Sequence, residues 1–102
     1  MTKTYMKTPE RKAQISQVAC QLAAETHYTK VRRHHVAERC GTAPANISRV
    51  VGSMNELREV IARQALHEMN NTVLAQLITD RHPSVVDLNT DTKQRILMES
   101  VA

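Results

Sequence analysis

Apolar side chains recur three or four positions apart along most of the chain, which is the spacing of a buried stripe on an amphipathic helix. The first such stretch follows Thr8, Pro9 and Glu10, which supply a cap, a pre-set first helical position and a favourable negative charge. Its stripe consists of Ile15, Val18, Ala19, Leu22 and Ala23. The pattern predicts a first helix that begins at Thr8 and ends near Thr26 or His27.

Two glycines divide the next stretch into a pair of short helices. One is predicted from about Arg32 to Cys40, and Gly41 ends it because glycine adopts a left-handed conformation at little cost. The other begins at Pro44, after a tight turn, and ends at Gly52. The spacing therefore predicts two short helices in immediate succession.

A longer apolar pattern follows, and it allows two interpretations. Ser53 and Glu56 have the spacing of a capping box, which predicts a fourth helix from Met54. Apolar residues then continue at helical spacing to about Arg81, either in one helix or in two that separate at Asn70-Asn71. An unbroken helix of about 28 residues would span about 42 Å and would offer a second apolar stripe to a partner.

The chain closes with a predicted short helix. Pro83 stops the preceding segment because proline cannot continue the helical hydrogen bonds. The last helix is expected over about residues 92–101, with Thr90 or Asp91 as its cap. Together the elements predict an all-α fold, a helix-turn-helix bundle of about five to six helices with a C-terminal helical dimerisation region.

Composition favours helices and the pairing of subunits. The 102 residues include two Gly, three Pro and two Tyr as the only aromatics, so aliphatic and Met side chains must fill the core. A domain of this size hides about 60–65% of its unfolded surface, and small proteins commonly gain stability by oligomerisation. We divide one compact domain into a predicted helix-turn-helix head, residues 1–66, and a dimerisation tail, residues 67–102. Cys20 and Cys40 lack CxxC spacing and are expected to be reduced core residues.

Positive charge is concentrated in the first two thirds of the chain. Residues 1–63 hold eleven Lys and Arg against five Glu, whereas residues 64–102 hold three against five acidic residues. This asymmetry suits a polyanion-binding head and a partner-binding tail, and a merely solvated charged surface is the alternative. No apolar run approaches the ~20 residues that a bilayer requires, and the opening MTKTYMKTPE lacks the hydrophobic stretch of a signal peptide. We therefore expect a cytoplasmic protein with no membrane contact.

The segment RHHVAERCGTAPANISRVVG, residues 33–52, has the pattern of a helix-turn-helix. Ala37 is small where the second helix crosses, and Gly41 supplies the turn. Ile47 and Val50 are spaced to seat the second helix on the core. The alternative interpretation is a helical hairpin with no role in DNA binding.

Part of this segment, VAERCGTAPANISRVVGS, resembles the DNA-reading region of lac-repressor family proteins, above all through Ser48-Arg49-Val50-Val51. An amphipathic helix before the unit and a capped helix after it make residues 10–66 more similar to the DNA-binding region of the TetR family. The matching positions are Val31, Val36, Ala37, Gly41, Ile47 and the helix start at residues 53–57. The resemblance implies a DNA-binding transcriptional regulator, usually a repressor, that binds an operator as a homodimer.

The chain departs from the TetR-family pattern in several places. The recognition helix lacks the family's usual aromatic residues, the expected second-helix cap is Arg32, and Met54 replaces a lysine at the start of the fourth helix. A phosphate contact at that helix start must therefore come from backbone N–H groups. Only 36 residues follow Leu66. That length is too short for the family's ligand-binding domain with a pocket of ~300 Å³ or more, so no small-molecule inducer is expected.

The predicted recognition helix carries the candidate base contacts. Arg49 can hold O6 and N7 of guanine through two hydrogen bonds, Asn46 can pair with adenine or phosphate, and Ala45 can touch a thymine methyl group. The alternative for each is an ordinary exposed residue. The full predicted set is Ala43, Pro44, Ala45, Asn46, Ser48 and Arg49.

Two further sets complete the expected interactions. Basic and polar residues near the N-terminus and the second helix are expected to contact the phosphate backbone, which positions a protein without selecting sequence. They are Lys7, Arg11, Lys12, Lys30, Arg32, Arg33, His34, Thr42 and Ser53, with Lys3 in the same basic arm. Apolar residues of the tail are expected to pair two subunits: Leu66, Met69, Val73, Leu77, Ile78, Ile96, Leu97 and Val101. Such pairing would place two recognition helices in successive major grooves, about 34 Å apart on an inverted repeat.

Other functions have less support in the sequence. His34 and His35 project about 100° apart on a helix and no third ligand is spaced to join them, so no metal site is expected. The sequence contains no glycine-rich phosphate loop and no nucleophile elbow, and we expect neither an enzyme nor a cofactor. The main alternative to DNA binding is a protein-interaction module, an adaptor or anti-repressor, that reuses the same helical head.

Overall fold

The computed structural model describes residues 8–100, which form six α-helices and two 3₁₀ turns with no strand among them. The helices are α1 (Thr8–Glu25), α2 (Arg33–Cys40), α3 (Pro44–Val51), α4 (Met54–Glu68), α5 (Asn71–Thr79) and α6 (Thr90–Ser100). The 3₁₀ turns are Tyr28–Lys30 and Pro83–Val85. The prediction of an all-α bundle of five to six helices is confirmed. Within residues 8–100, no helix combines the length and the apolar character needed to cross a bilayer.

Gly41 ends α2 as the sequence predicts. Its φ of 70° is left-handed, and its N–H donates to the carbonyl of Glu38 at 3.2 Å. The N–H of Thr42 donates to the carbonyl of Ala37 at 2.9 Å, which completes a Schellman motif. The chain is then free to turn sharply, and α3 begins at Pro44, a residue whose missing N–H costs nothing at that position.

The junction between α4 and α5 decides between the two interpretations of the long apolar pattern. Met69 adopts a left-handed φ of 54°, and the N–H of Asn70 donates to the carbonyl of Ala65 at 2.9 Å. The Asn70 side chain then accepts from the N–H of Val73 at 3.2 Å and so caps α5. The single long helix is therefore wrong and the break near Asn70 is correct. The bend is favourable because it turns the apolar stripe of α5 back onto the core.

One hydrophobic core joins the predicted head to the predicted tail. Ile15 of α1, Ile61 of α4 and Leu74 of α5 are all fully buried and belong to a single cluster. Ile96 of α6 is buried in the same cluster. The predicted boundary after Leu66 thus lies within continuous packing.

The last helix begins earlier than predicted. It starts at Thr90, and the side chain of Asn89 accepts from the N–H of Thr92 at 2.7 Å. Asn89 is therefore the cap, rather than Thr90 or Asp91, because its short carboxamide reaches the free N–H groups of the first turn.

A cluster that we call the tyrosine junction, formed by Tyr28, Gln76 and Asp80, fastens α5 beside the end of α1. The Tyr28 N–H donates to Oε1 of Gln76 at 2.9 Å, and the Tyr28 hydroxyl donates to Oδ2 of Asp80 at 2.8 Å. Gln76 Nε2 donates to the carbonyl of Ala23 at 2.9 Å. Tyr28 is only 5% exposed. Burial, reinforced by the hydrogen bond to Asp80, raises the pKa of Tyr28 to about 12.

Candidate nucleic-acid interface

The candidate interface consists of the short helices α2 and α3, and both pack against the hydrophobic core. Val36 and Ala37 bury the inner face of α2, while Ile47 and Val51 bury the inner face of α3. Val50, which the sequence assigned to this seat, is only half-buried against the core. α3 therefore packs on the core through Ile47 and Val51 more than through Val50, because residues four positions apart lie on the same face of a helix.

The opposite side of α3 is open and forms what we call the reading surface: Ala43, Pro44, Ala45, Asn46 and Arg49. Four of these five predicted base-contact residues are exposed, and Asn46 is half-buried. The structure thus brings them together on one side of the turn and helix. Their mixture of methyl groups, one carboxamide and one guanidinium has the chemistry that the edges of base pairs accept.

Three side chains of this region are linked in series. Nδ2 of Asn46 donates to the hydroxyl of Thr42 at 2.6 Å, and Oδ1 of Asn46 accepts from the guanidinium of Arg49. Thr42 was predicted as a phosphate contact, and here its hydroxyl accepts a hydrogen bond from the neighbouring helix. Arg49 itself stays exposed, so this linkage lies on the surface and does not draw the guanidinium into the core.

Arg33 and Ser48 contact each other. The Arg33 guanidinium donates to the Ser48 hydroxyl at 2.8 Å, and both residues are half-buried. The sequence assigned Arg33 to the phosphate backbone and Ser48 to a base edge. In the structure their hydrogen bond joins the start of α2 to the middle of α3 and therefore adds a polar contact to the apolar packing between the two helices.

Exposed basic side chains occur on the same part of the chain as the reading surface. Lys12, Lys30, Arg32 and His34 are exposed, as predicted for phosphate-contacting residues. Arg11 is half-buried and donates to the side chain of Gln14 at 2.9 Å. Ser53 is exposed, and its hydroxyl caps α4 by accepting from the N–H of Glu56 at 3.2 Å. Lys3 and Lys7 lie outside the described residues.

Arg39, at the end of α2, forms an ion pair with Glu25. Arg39 donates twice to the carboxylate of Glu25, at 2.7 and 3.1 Å. This hydrogen bonding lowers the pKa of Glu25 and raises that of Arg39. The charge of Arg39 is thus matched within the protein by that of Glu25.

The cysteines and adjacent histidines have unremarkable surroundings. Burial raises the pKa of the Cys20 thiol to about 12, and burial also raises that of Cys40 against the smaller opposing effect of Arg11. The rings of His34 and His35 lie 4.1 Å apart at 52°. Among residues 8–100, no group of three His, Cys, Asp or Glu is arranged to hold a metal ion.

Part of the predicted dimerisation surface of the tail is buried within the subunit. Val73, Leu77 and Ile96 are buried within the subunit, so the prediction that they pair two subunits is wrong for this structure. They are buried because the bend after α4 packs α5 onto the core and α6 then covers α5. Leu66 and Ile78 are half-buried against the same core.

A smaller apolar surface remains on the tail. Met69 is 59% exposed and Leu97 is 37% exposed, whereas Val101 lies outside the described residues. Leu97 also lines an open groove of about 460 Å³ beside Ala75 of α5. Met98, which the sequence analysis missed, is 72% exposed and adjoins Leu97. Met98 could have been predicted to belong to this surface, because it is apolar and follows Leu97 directly in the sequence.

The hydrogen bonds that link Thr42, Asn46 and Arg49 could have been predicted from their spacing in the sequence. The contact between α2 and α3 could not. Thr42 and Asn46 are four residues apart, and Asn46 and Arg49 are three apart, so helical geometry alone brings them together. Arg33 and Ser48 belong to different helices whose packing angle no local pattern specifies.

Comparison with known proteins found no matching family model, no matching curated protein and no matching solved structure.

Proposed function

We propose that this protein is a small sequence-specific DNA-binding transcriptional regulator that acts as a homodimer on an inverted-repeat operator. One observation carries the proposal: α3 is seated by Ile47 and Val51 while Ala45 and Arg49 face outward beside a tight turn. A short helix held in this way can enter the major groove, which is about 12 Å wide.

The distribution of charge supports the same proposal. Lys12, Lys30 and Arg32 are exposed on the part of the chain that carries the reading surface, and they suit phosphate oxygens. The resemblance of residues 10–66 to the TetR-family DNA-binding region points in the same direction and favours repression, by occupation of a promoter in the cytoplasm. The proposal involves no catalysis, cofactor or small-molecule inducer.

Pairing of two copies is the second part of the proposal. The exposed Leu97 and Met98 of α6 supply an apolar patch of the tail that a second copy would cover. Paired subunits would present two reading surfaces to successive major grooves about 34 Å apart. Sedimentation equilibrium should therefore report a dimer that Met98→Glu weakens, and a monomer at micromolar concentration on an inverted-repeat duplex would contradict this part.

Salt dependence tests DNA binding directly. The full chain is used to select duplexes from a randomised library, and affinity for the selected duplex is measured by fluorescence anisotropy between 50 and 200 mM salt. Each phosphate contact contributes about 0.9 to the slope of log affinity against log salt. Lys30→Gln and Arg32→Gln should each reduce the slope by about 1, whereas Arg95→Gln, an exposed control on α6, should not.

A protein-interaction module remains the second candidate. The exposed apolar patch at Leu97 and Met98 favours it, because an adaptor needs such a surface. Selection of no duplex, or an affinity that does not change with salt, would favour this candidate over DNA binding.

A further inference from the structure

The strongest unassigned feature is the series of hydrogen bonds from Thr42 through Asn46 to Arg49. Thr42 belongs to the turn and Asn46 and Arg49 to α3, so all three lie on one side of the helix-turn-helix. The proposed function uses Arg49 as a base contact. It does not explain why two further polar side chains converge on this residue.

We propose that Thr42 and Asn46 are positioning residues that aim the Arg49 guanidinium at a guanine. This inference rests on the proposed DNA-binding function and names the base that the reading surface selects. The backbone of Thr42 is held in place, because its N–H donates to the carbonyl of Ala37 at 2.9 Å. Asn46 transmits that position to Arg49.

The orientation of the Asn46 carboxamide supports this assignment. Its Nδ2 points to Thr42 and its Oδ1 points to Arg49, so its donor and acceptor are directed along the helix. A bidentate contact to adenine needs both groups directed together at one base edge. Asn46 thus acts on Arg49, and its own expected contact with adenine is replaced by this role.

Arg49 keeps the groups that guanine requires. A guanidinium has five N–H donors in one plane, and the bond to Asn46 uses only part of them. The remaining donors can meet O6 and N7 of guanine together. An exposed arginine otherwise samples many rotamers, so the bond to Asn46 reduces the freedom that is lost on binding.

The test uses the duplex selected from the randomised library by the full chain. Each guanine is replaced in turn by 7-deazaguanine, which lacks the N7 acceptor, and the ratio of the two affinities is measured. The unmodified protein should lose about 10- to 150-fold at the guanine that Arg49 contacts, the value of one hydrogen bond to a charged group. Arg49→Ala should bind both duplexes equally.

The positioning residues are tested by the same ratio. Thr42→Val keeps the shape but removes the hydroxyl, and it should reduce the ratio by about 2- to 10-fold, the value of one net hydrogen bond. Thr42→Ser should restore the ratio, and Thr72→Val, an exposed threonine of α5, should leave it unchanged. Asn46→Ala provides a second variant with the expected effect of Thr42→Val, and circular dichroism confirms that each variant is folded.

The outcomes separate this inference from the proposed function. If Arg49→Ala abolishes the ratio while Thr42→Val and Asn46→Ala preserve it, Arg49 reads guanine without positioning residues and the inference is overturned. If substitution of no guanine affects the unmodified protein, guanine selection is overturned even though DNA binding stands. If no duplex is selected, the proposed function fails, and the inference fails with it.

Discussion

The reading surface and the tyrosine junction both depend on linked polar side chains, but the first includes an exposed arginine and the second is built on a buried tyrosine. Thr42, Asn46 and Arg49 are close in sequence, and Arg49 is exposed. Tyr28 is buried, and its partners Gln76 and Asp80 lie far from it in the sequence, at separations of 48 and 52 positions. An exposed hydrogen bond exchanges readily with water, whereas a buried group that loses its partner remains unsatisfied. The first arrangement should therefore contribute little to the stability of the fold, whereas the second should contribute much more.

Gln76→Leu should destabilise the protein more than any other variant considered below. Gln76 alone satisfies the N–H of Tyr28 and the carbonyl of Ala23, and leucine would leave both without that partner. We expect the free energy of unfolding in urea to fall by about 2–4 kcal/mol, from two unsatisfied backbone groups. Gln17→Leu, at an exposed position of α1, is the matched control and should change stability little. Equal effects of the two variants would contradict the assigned importance of the junction.

The next effect appears at high pH. The pKa of Tyr28 is raised from 10.0 to about 12, so the folded state holds this proton more tightly than the unfolded state. The resulting stability is fully present below pH 10 and is lost as the pH rises through 12. We expect a loss of about 2 kcal/mol over that window, at ~1.4 kcal/mol per pKa unit with allowance for solvent exposure.

Tyr28→Phe isolates the contribution of this tyrosine. The raised pKa of Cys20 acts in the same direction, so both proteins lose stability at high pH, but Tyr28→Phe should lose less between pH 10 and 12. Urea unfolding at several pH values measures the difference. Identical slopes would show that Tyr28 is not the group responsible.

A smaller effect is expected at the contact between the two helices. Ser48→Ala removes the acceptor for Arg33 and should lower the free energy of unfolding by about 0.5–1.5 kcal/mol, the net value of one hydrogen bond. Thermal unfolding provides the measurement, with Ser16→Ala as a comparison, because the Ser16 hydroxyl bonds only within its own helix, to the carbonyl of Lys12. A variant of unchanged stability that loses affinity for DNA would instead return Ser48 to its predicted place at a base edge.

The smallest effect should come from Arg39→Gln. The hydrogen bonds to Glu25 are short, but both side chains are exposed, and exposed ion pairs contribute little because water and salt screen them. The variant should unfold at the temperature of the parent protein within the error of calorimetry. A clear destabilisation would mean that exposed polar contacts carry more of this fold than the comparison implies.

Local signals in the sequence were sufficient for most helix boundaries. Gly41, Pro44 and the Ser53 cap each act on adjacent backbone, and α2, α3 and α4 begin or end where these residues predict. Met69 could not be predicted as a helix stop, because methionine rarely adopts positive φ and here does so only where tertiary packing favours it. The apolar type of Val73 and Leu77 suits a partner or the core equally well, and only the bend decides between the two.

The candidate site was predictable in its membership but not in its internal contacts. Periodicity places Ile47 inward and Arg49 outward, since the two lie on different faces of one helix. The contact between Arg33 and Ser48 depends on how α2 crosses α3, which is a property of the whole core. The tyrosine junction had no signal at all, because Gln76 looks like any surface glutamine until α5 is packed beside α1.

The continuity of the core has a consequence for the modularity of the protein. Leu74 of α5 is packed in the same cluster as Ile15 of α1, and Gln76 supplies a hydrogen bond to the end of α1. The segment that carries α3 and the reading surface is consequently not an independent folding unit. A peptide cut after Leu66 and fused to a foreign partner would expose the apolar sides of α1 and α4 to water, so any transplant of the reading surface must carry the C-terminal helices with it.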